Sequence, residues 1–325
     1  MIEISIIIPV YNVQDYLARS VDAILKNDTE GCEVILVDDG SKDGSPAICD
    51  AYATAHPKLI RVLHQKNAGP GAARNAGISA ARGEWFLFVD SDDRLAPNAL
   101  QRLRAAIAEE EADVISFQFY KESVKGEIWE EWSGPMQART RFSLAEQPGF
   151  LLTQPSCWLR LWKRSVFSDN DIRFPDVVWY EDIRTVTKLL AKAKRIVNLP
   201  DHLYYYLNRP GSIMNSSQLP RNRDILPAFA DILDWFVQQG LKQTYYDELC
   251  ALTVQHVLLA ASVRVSRIDP GSEILGEFAR FTESRFPDWR ENPYTRTLPR
   301  MKRLALWLVT HRRYRLIRTL FNLKG

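Results

Sequence analysis

Trp85 to Val89 is a short apolar run that stops at Asp90-Ser91-Asp92-Asp93. A run of this length, bounded by polar residues, fits a strand buried on both faces. Three carboxylates at the end of such a strand repel one another unless a positive charge sits among them. A divalent cation that itself holds a phosphate meets that need, because Mg²⁺ and Mn²⁺ take oxygen ligands and bridge to substrate phosphates. The plainer alternative is that Asp93 caps the next helix and its neighbours are solvated.

The same strand-then-polar pattern recurs along the first half. Ile4–Val10 is rich in β-branched residues, as a buried parallel strand should be. Tyr11-Asn12 breaks it, and Tyr16, Leu17, Val21, Ile24 and Leu25 follow at helical spacing. Glu33–Val37 is a second strand, ended by Asp38-Asp39-Gly40-Ser41, with Ser45 and Pro46 opening a helix. Ile60–His64 is a third, and the Asn67–Gly71 loop leads into a helix of small residues, Ala72–Ala81. Trp85 begins the fourth strand, Pro97 opens another helix, and Asp113–Tyr120 makes the fifth strand. Strands separated by helices predict a parallel, doubly wound α/β sheet. Ligands of such sheets bind beyond the carboxyl ends of the strands, where the clusters at Tyr11, Asp38, Asn67 and Asp90 fall.

What is missing narrows the ligand. No G-x-G-x-x-G follows the first strand and no G-x-x-x-x-G-K-[ST] occurs, so neither a dinucleotide cofactor nor a P-loop is indicated. Asp38 or Asp39 suits a nucleobase imide or ribose hydroxyls, although Asp-Gly-Ser is also ordinary turn chemistry. Gly69–Gly71 with Arg74 suits a diphosphate at a helix start, or a plain capped helix. The net charge of +2 argues against a dedicated nucleic-acid binder. Cys32, Cys49, Cys157 and Cys250 show no metal-type pairing and read as reduced thiols of a cytosolic protein. No signal peptide precedes the first strand, and no apolar run is expected to reach the roughly 20 residues of a membrane span.

The runs ISIIIPVYN, ILVDDGSKDGS, NAGPGAARNAG and FLFVDSDD, in this order and spacing, resemble family 2 of the inverting glycosyltransferases, with the GT-A fold. The likeness covers four motifs over Ile4–Asp93 and continues more loosely to about Ser212. It implies an α/β fold with a mostly parallel, Rossmann-like sheet flanked by helices. It also implies that Pro9, Tyr11 and Asp39 surround the nucleoside of a nucleotide sugar, usually a UDP-sugar, with Arg74 at the diphosphate or the acidic cluster and Ser91 beside the donor. Asp90 and Asp92 become the ligands of Mn²⁺ or Mg²⁺, with Asp92 the direct one. A nucleotidyltransferase, the alternative enzyme class, would show a Gly-rich basic signature straight after the first strand, which Tyr11–Asp15 is not. A sugar-binding module without catalysis is the third reading, against which the intact acidic sites speak.

The second half is expected to supply the acceptor side. Trp129 and Trp132 lie among acids in an expected edge hairpin, and Trp faces stack on sugar rings as readily as they fill cores. Glu181 and Asp182 precede Ile183, Val186, Leu189 and Leu190 at helical spacing, so they sit in a first turn, where the helix dipole favours acids. The resemblance implies a chemical role as well: Asp182 as general base, with Glu181 as the reserve candidate or a partner to the acceptor. Leu203–Met214 is similar to the tyrosine-rich strand and basic loop of bacterial members, except that Leu207 and Asn208 separate the tyrosines from Arg209. The five histidines form no cluster and read as structural. The acceptor expected from the resemblance is a saccharide, free or lipid-linked, in surface polysaccharide synthesis.

Beyond about Arg221 the pattern is purely helical. The expected division is therefore a glycosyltransferase domain at 1–220, with its nucleotide-sugar half at 1–112 and acceptor half at 113–220, followed by an all-α part at 221–325. Residues 292–325 hold nine Lys or Arg and no acid, leaving 33 bases against 40 acids in residues 1–291. Met301, Leu304, Ala305 and Leu308, then Leu316, Ile317, Leu320 and Phe321, recur at helical spacing among those bases. A basic amphipathic tail over 299–325 predicts either a peripheral contact with the inner face of a membrane or a helix docked on the rest of the protein.

Overall fold

The computed structural model describes residues 2–134, 141–176, 179–209 and 220–322. The chain forms two compact units, Met1–Ser212 and Ile213–Gly325. In the first unit, strands β1 (Ile4–Val10), β2 (Cys32–Asp38), β3 (Ile60–His64) and β4 (Trp85–Phe88) alternate with helices α1 (Gln14–Leu25), α2 (Ser45–Ala55) and α3 (Pro70–Ala80). They pair in parallel in the order β3-β2-β1-β4, the crossover pattern that alternating strands and helices enforce. Ile4, Ile6, Ile7 and Ile8 are wholly buried. At about 1.5–3 kcal/mol for each such side chain, this strand anchors the core. A Cβ on Gly77 would stand 2.4 Å from Ile7 Cγ2, so the small residues of α3 are what let it lie directly on β1.

The sheet then departs from the all-parallel expectation. After β5 (Arg94–Leu95), α4 (Ala99–Glu109), β6 (Val114–Ser123), β7 (Ile128–Glu131) and β8 (Arg141–Phe142), the chain returns as β9 (Arg160–Lys163). Strand β9 inserts between β4 and β6, antiparallel to both. The reason lies in its side chains: Leu161 and Trp162 are fully buried, and so is Arg160. Burial pushes the Arg160 guanidinium down to about 10. Its cost is offset by hydrogen bonds to the carbonyls of Gln154 and Ser156 and to Thr153 Oγ1. Helices α5 (Arg164–Ser168) and α6 (Glu181–Lys192) lead to the long β10 (Ile196–Asn208), parallel to β6 and antiparallel to β5. The result is a mixed ten-stranded sheet rather than a mostly parallel one, within the α/β class that the GT-A resemblance implied, with β6 and β7 forming the hairpin expected around Trp129.

The second unit is all-α: α7 (Ile225–Gln238), a continuous helix α8 (Tyr246–Ile268), α9 (Ile274–Arg285), the short α10 (Pro293–Arg296), α11 (Arg300–Thr310) and α12 (Tyr314–Asn322). The expectation that no segment is long and apolar enough to span a membrane is corrected by α8, which meets that test by length and composition. Its apolar window is 72% buried, however, and it serves as the central core helix of this unit. Its middle turns, Val254–Ala261, are wound as a π-helix.

Candidate active site

The acidic motif sits where β4 ends, between the first parallel strands and β10. Arg74, from α3, is 4% exposed and reaches three carboxylates: Asp90 Oδ1 at 2.9 Å, Glu181 Oε1 at 2.8 Å and Asp182 Oδ1 at 3.2 Å. Phe174 lies 5.3 Å from its guanidinium carbon. One buried cation facing three acids leaves a local excess of negative charge. Burial, then repulsion from Asp182, pushes Glu181 up to about 7, against the pull of Arg74. Burial likewise raises Asp90 to about 6, Arg74 again opposing, with Asp182 and Asp92 adding to the rise.

Glu181 and Asp182 do open α6, and the N-cap residue Tyr180 makes no side-chain capping bond. The residue before them, Tyr180, has φ 64°. A left-handed tyrosine at a helix start costs on the order of 1–3 kcal/mol and occurs where the surroundings impose it. Asp182 Oδ2 accepts the Cys157 amide at 3.2 Å, and Cys157 follows the loop that Arg160 holds in place. Arg160 is thus a supporting residue that sequence reasoning missed; a charged residue inside the apolar run CWLRLWK was the available signal.

The two remaining acids part company. Asp93 is buried and turned inward, accepting Tyr204 Oη at 2.8 Å and the Leu207 amide at 2.7 Å. Tyr204 Oη also accepts the Asp90 amide at 3.1 Å, and its ring stacks on Trp158 at 4.4 Å. Asp93 therefore neither caps a helix nor is solvated; it ties the motif to β10. Asp92 turns the other way and takes a 2.7 Å hydrogen bond from Arg209 Nε, while its carbonyl accepts from Arg19. Ser91, between the two motif aspartates, is buried.

At the residues expected around a nucleoside, both oxygens of Asp39 are engaged by the loop before α3: Gln65 Nε2 at 2.7 Å and Ala68 N at 2.9 Å on Oδ1, Gly69 N at 2.8 Å on Oδ2. Asp38 instead accepts the Ser41 amide and pairs with His64, whose other ring nitrogen meets Asp50. His64 is thereby more than a solitary structural histidine. Pro9 is half-buried one residue before the end of β1, and Tyr11 just beyond the strand is 49% exposed. Trp129 and Trp132 are about half exposed and away from the Arg74 cluster's contacts, Trp132 meeting His202 edge-on at 5.1 Å. A surface concavity lined by Glu3, Arg82, Arg104 and Arg164 lies at the amino ends of the strands rather than here.

For a divalent cation, the donor set of Asp90 and Asp92 is all carboxylate oxygen, which suits Mg²⁺ or Mn²⁺. Among the described residues no three His, Cys, Asp or Glu side chains gather into a cage. Two carboxylates with substrate phosphates completing the shell is the usual way such ions are held.

A model of the family described as Glycosyl transferase family 2 matches residues 5–169, just over half of the chain. The chain belongs to glycosyl transferase family 2. This glycosyltransferase is 34% identical over 249 residues to the glycosyltransferase GlyG of Streptococcus pneumoniae serotype 4, covering 73% of this chain and 82% of GlyG. It is 28% identical over 254 residues to the succinoglycan biosynthesis protein ExoO of Rhizobium meliloti, covering 74% and 71%. Among solved structures it is similar to S. aureus TarS 1–349 in complex with UDP-GlcNAc, with a TM-score of 0.60 and 25% identity, covering 89% of this chain and 90% of that one.

Proposed function

We propose that the protein is an inverting glycosyltransferase that moves a hexosyl or N-acetylhexosaminyl group from a UDP-sugar to a hydroxyl of a saccharide or lipid-linked acceptor in surface polysaccharide synthesis. The observation that carries this reading is Arg74, which holds Asp90, from the motif expected at the donor diphosphate, in one cluster with Glu181 and Asp182, the acids expected at the acceptor. The UDP-GlcNAc bound to TarS and the part of ExoO in succinoglycan biosynthesis support the donor and the pathway class. The family match favours this reading over the nucleotidyltransferase, and the intact cluster favours it over a non-catalytic module.

In this scheme Pro9, Tyr11 and Asp39 surround the nucleoside, with Ser91 beside the donor. Asp39 keeps one lone-pair position on Oδ2 for the base, since its other bonds fix the loop before α3. Asp90 and Asp92 hold Mn²⁺ or Mg²⁺. When bound, that ion supplies positive charge for the diphosphate leaving group. Asp182, fixed by the Cys157 amide, accepts the proton of the acceptor hydroxyl. The oxygen attacks the anomeric carbon as the bond to the diphosphate breaks on the opposite face, so an α-linked donor gives a β-glycoside. Glu181, raised in pKa beside it, is the reserve base or a hydrogen-bond partner of the acceptor.

The tail supports a peripheral site of action on the cytoplasmic face of a membrane. Ala305, Leu308 and Ile317 of the expected stripes are buried in the helical unit, whereas Met301, Leu304, Trp307, Leu316 and Leu320 are 43–52% exposed amid Arg and Lys. Apolar side chains exposed beside basic ones favour an anionic interface.

The test is a panel of UDP- and GDP-sugars with Mn²⁺, following released nucleotide and the anomeric configuration of the product by NMR. Release from UDP-sugars with inverted product supports the reading, and retained configuration overturns it.

A further inference from the structure

Asp90 and Asp92 each have an arginine, and the two arginines are held very differently. Arg74 is buried and shared among three carboxylates, so it cannot leave Asp90 without stranding a charge. Arg209 comes from just past the end of β10, and its ion pair with Asp92 is one-fifth exposed on both sides. The Arg209 guanidinium lies over Tyr16, 4.9 Å from the ring centroid, which gives it a resting surface on α1. Its height above the motif is set two residues earlier, where Asp93 accepts the Leu207 amide at 2.7 Å and the phenol of Tyr204 at 2.8 Å. The motif thus grips β10 with the Asp93 carboxylate, and Asp92 receives a cation from just past the end of that strand.

We infer that Arg209 is a resident counter-charge of Asp92 that a divalent cation must displace, so that loading the motif frees the guanidinium from the carboxylate while Asp93 keeps the strand in place. The inference rests on Asp90 and Asp92 being the metal-holding pair. Competition follows from the chemistry of the site. Arg209 Nε binds the Oδ2 oxygen at 2.7 Å, a charge-assisted hydrogen bond to the very group a hard cation would take. Arg209 would then act as a positioning residue for the loaded site, its freed charge remaining within reach of the anion that the ion brings.

Mn²⁺ binding to the ligand-free full chain, read by the EPR signal of free Mn²⁺, tests this without turnover. Arg209→Gln should bind Mn²⁺ about tenfold more tightly than wild type, the scale of one charge-assisted hydrogen bond no longer in competition. Arg19→Gln removes a neighbouring cation that, among the described residues, bonds to the Asp92 carbonyl and the Glu122 side chain, and should change affinity less than twofold. In wild type, saturating Mg²⁺ should shift the Arg209 Nε–H resonance towards that of a solvated arginine. If Arg209→Gln binds Mn²⁺ no better than wild type, or Arg19→Gln gains as much, the displacement idea is overturned. If no variant binds Mn²⁺ even with UDP present, the metal reading of the motif falls and takes this inference with it.

Discussion

Arg74 meets Glu181 at 2.8 Å although 107 residues separate them in the chain. The pair joins α3 to α6 across the ends of the parallel strands, so the two acidic halves of the candidate site share one cation. Arg74→Lys keeps a charge but not the planar fork that serves three carboxylates, and should cost about 3–5 kcal/mol of stability, the usual toll for breaking a buried ion pair. Urea unfolding measures it; a loss below 1 kcal/mol would show that the cluster relaxes without its fork.

Asp182→Asn should leave UDP binding within about twofold and cut transfer by roughly 10²–10⁴, the range for a positioned general base. Glu181→Gln should cost less. Isothermal titration with UDP and steady-state rates separate the two effects, and the reverse order would make Glu181 the base.

The acidic cluster also sets a pH dependence. Glu181 at about 7 and Asp90 at about 6 lie above their ordinary values of 4.5 and 3.8. The folded state then binds more protons than the unfolded one, so these groups make stability fall as pH rises from about 4 to 7. Melting in EDTA between pH 5 and 8 should show that decline, and Glu181→Gln should flatten it. A profile over the same window that Glu181→Gln leaves unchanged would mean that Glu181 is not held above its ordinary value.

Gly77→Ala places a methyl 2.4 Å from Ile7 Cγ2, between α3 and β1. The expected cost is about 1–3 kcal/mol by overpacking, seen as a lower urea midpoint at unchanged slope. Because α3 carries Arg74, donor affinity should weaken as well.

The tail is best tested by point changes, since deleting it would uncover the core face of Ala305, Leu308 and Ile317. Leu316→Ser with Leu320→Ser should reduce cosedimentation with anionic vesicles, and Arg315→Glu with Arg318→Glu should abolish its salt dependence. Wild-type protein that stays in the supernatant with anionic vesicles at low salt would remove the membrane contact.

Much of the site was legible because it is local. The places of Asp38, Asp39, Asp90, Asp92, Glu181 and Asp182 follow from where an apolar run stops or a helical stripe starts, boundaries set by period and burial, whereas the preference for Asp39 over Asp38 and the roles expected of the others came from the family resemblance. The first four parallel strands follow from the same signal. Their order rests on the fixed handedness of the crossovers.

What the sequence left open was partnership between distant segments. Nothing local to Arg160–Lys163 says that it enters the sheet between β4 and β6, because a short apolar strand carries no record of its direction or neighbours. The roles of Asp92 and Asp93 look interchangeable in the string DSDD; only the return of β10 gives one to Arg209 and the other to Tyr204 and Leu207. Hydrophobic pattern determined which residues reach the end of the sheet. Which charges face each other there was decided by tertiary packing, since a buried carboxylate takes whatever cation or donor the fold brings within hydrogen-bond reach.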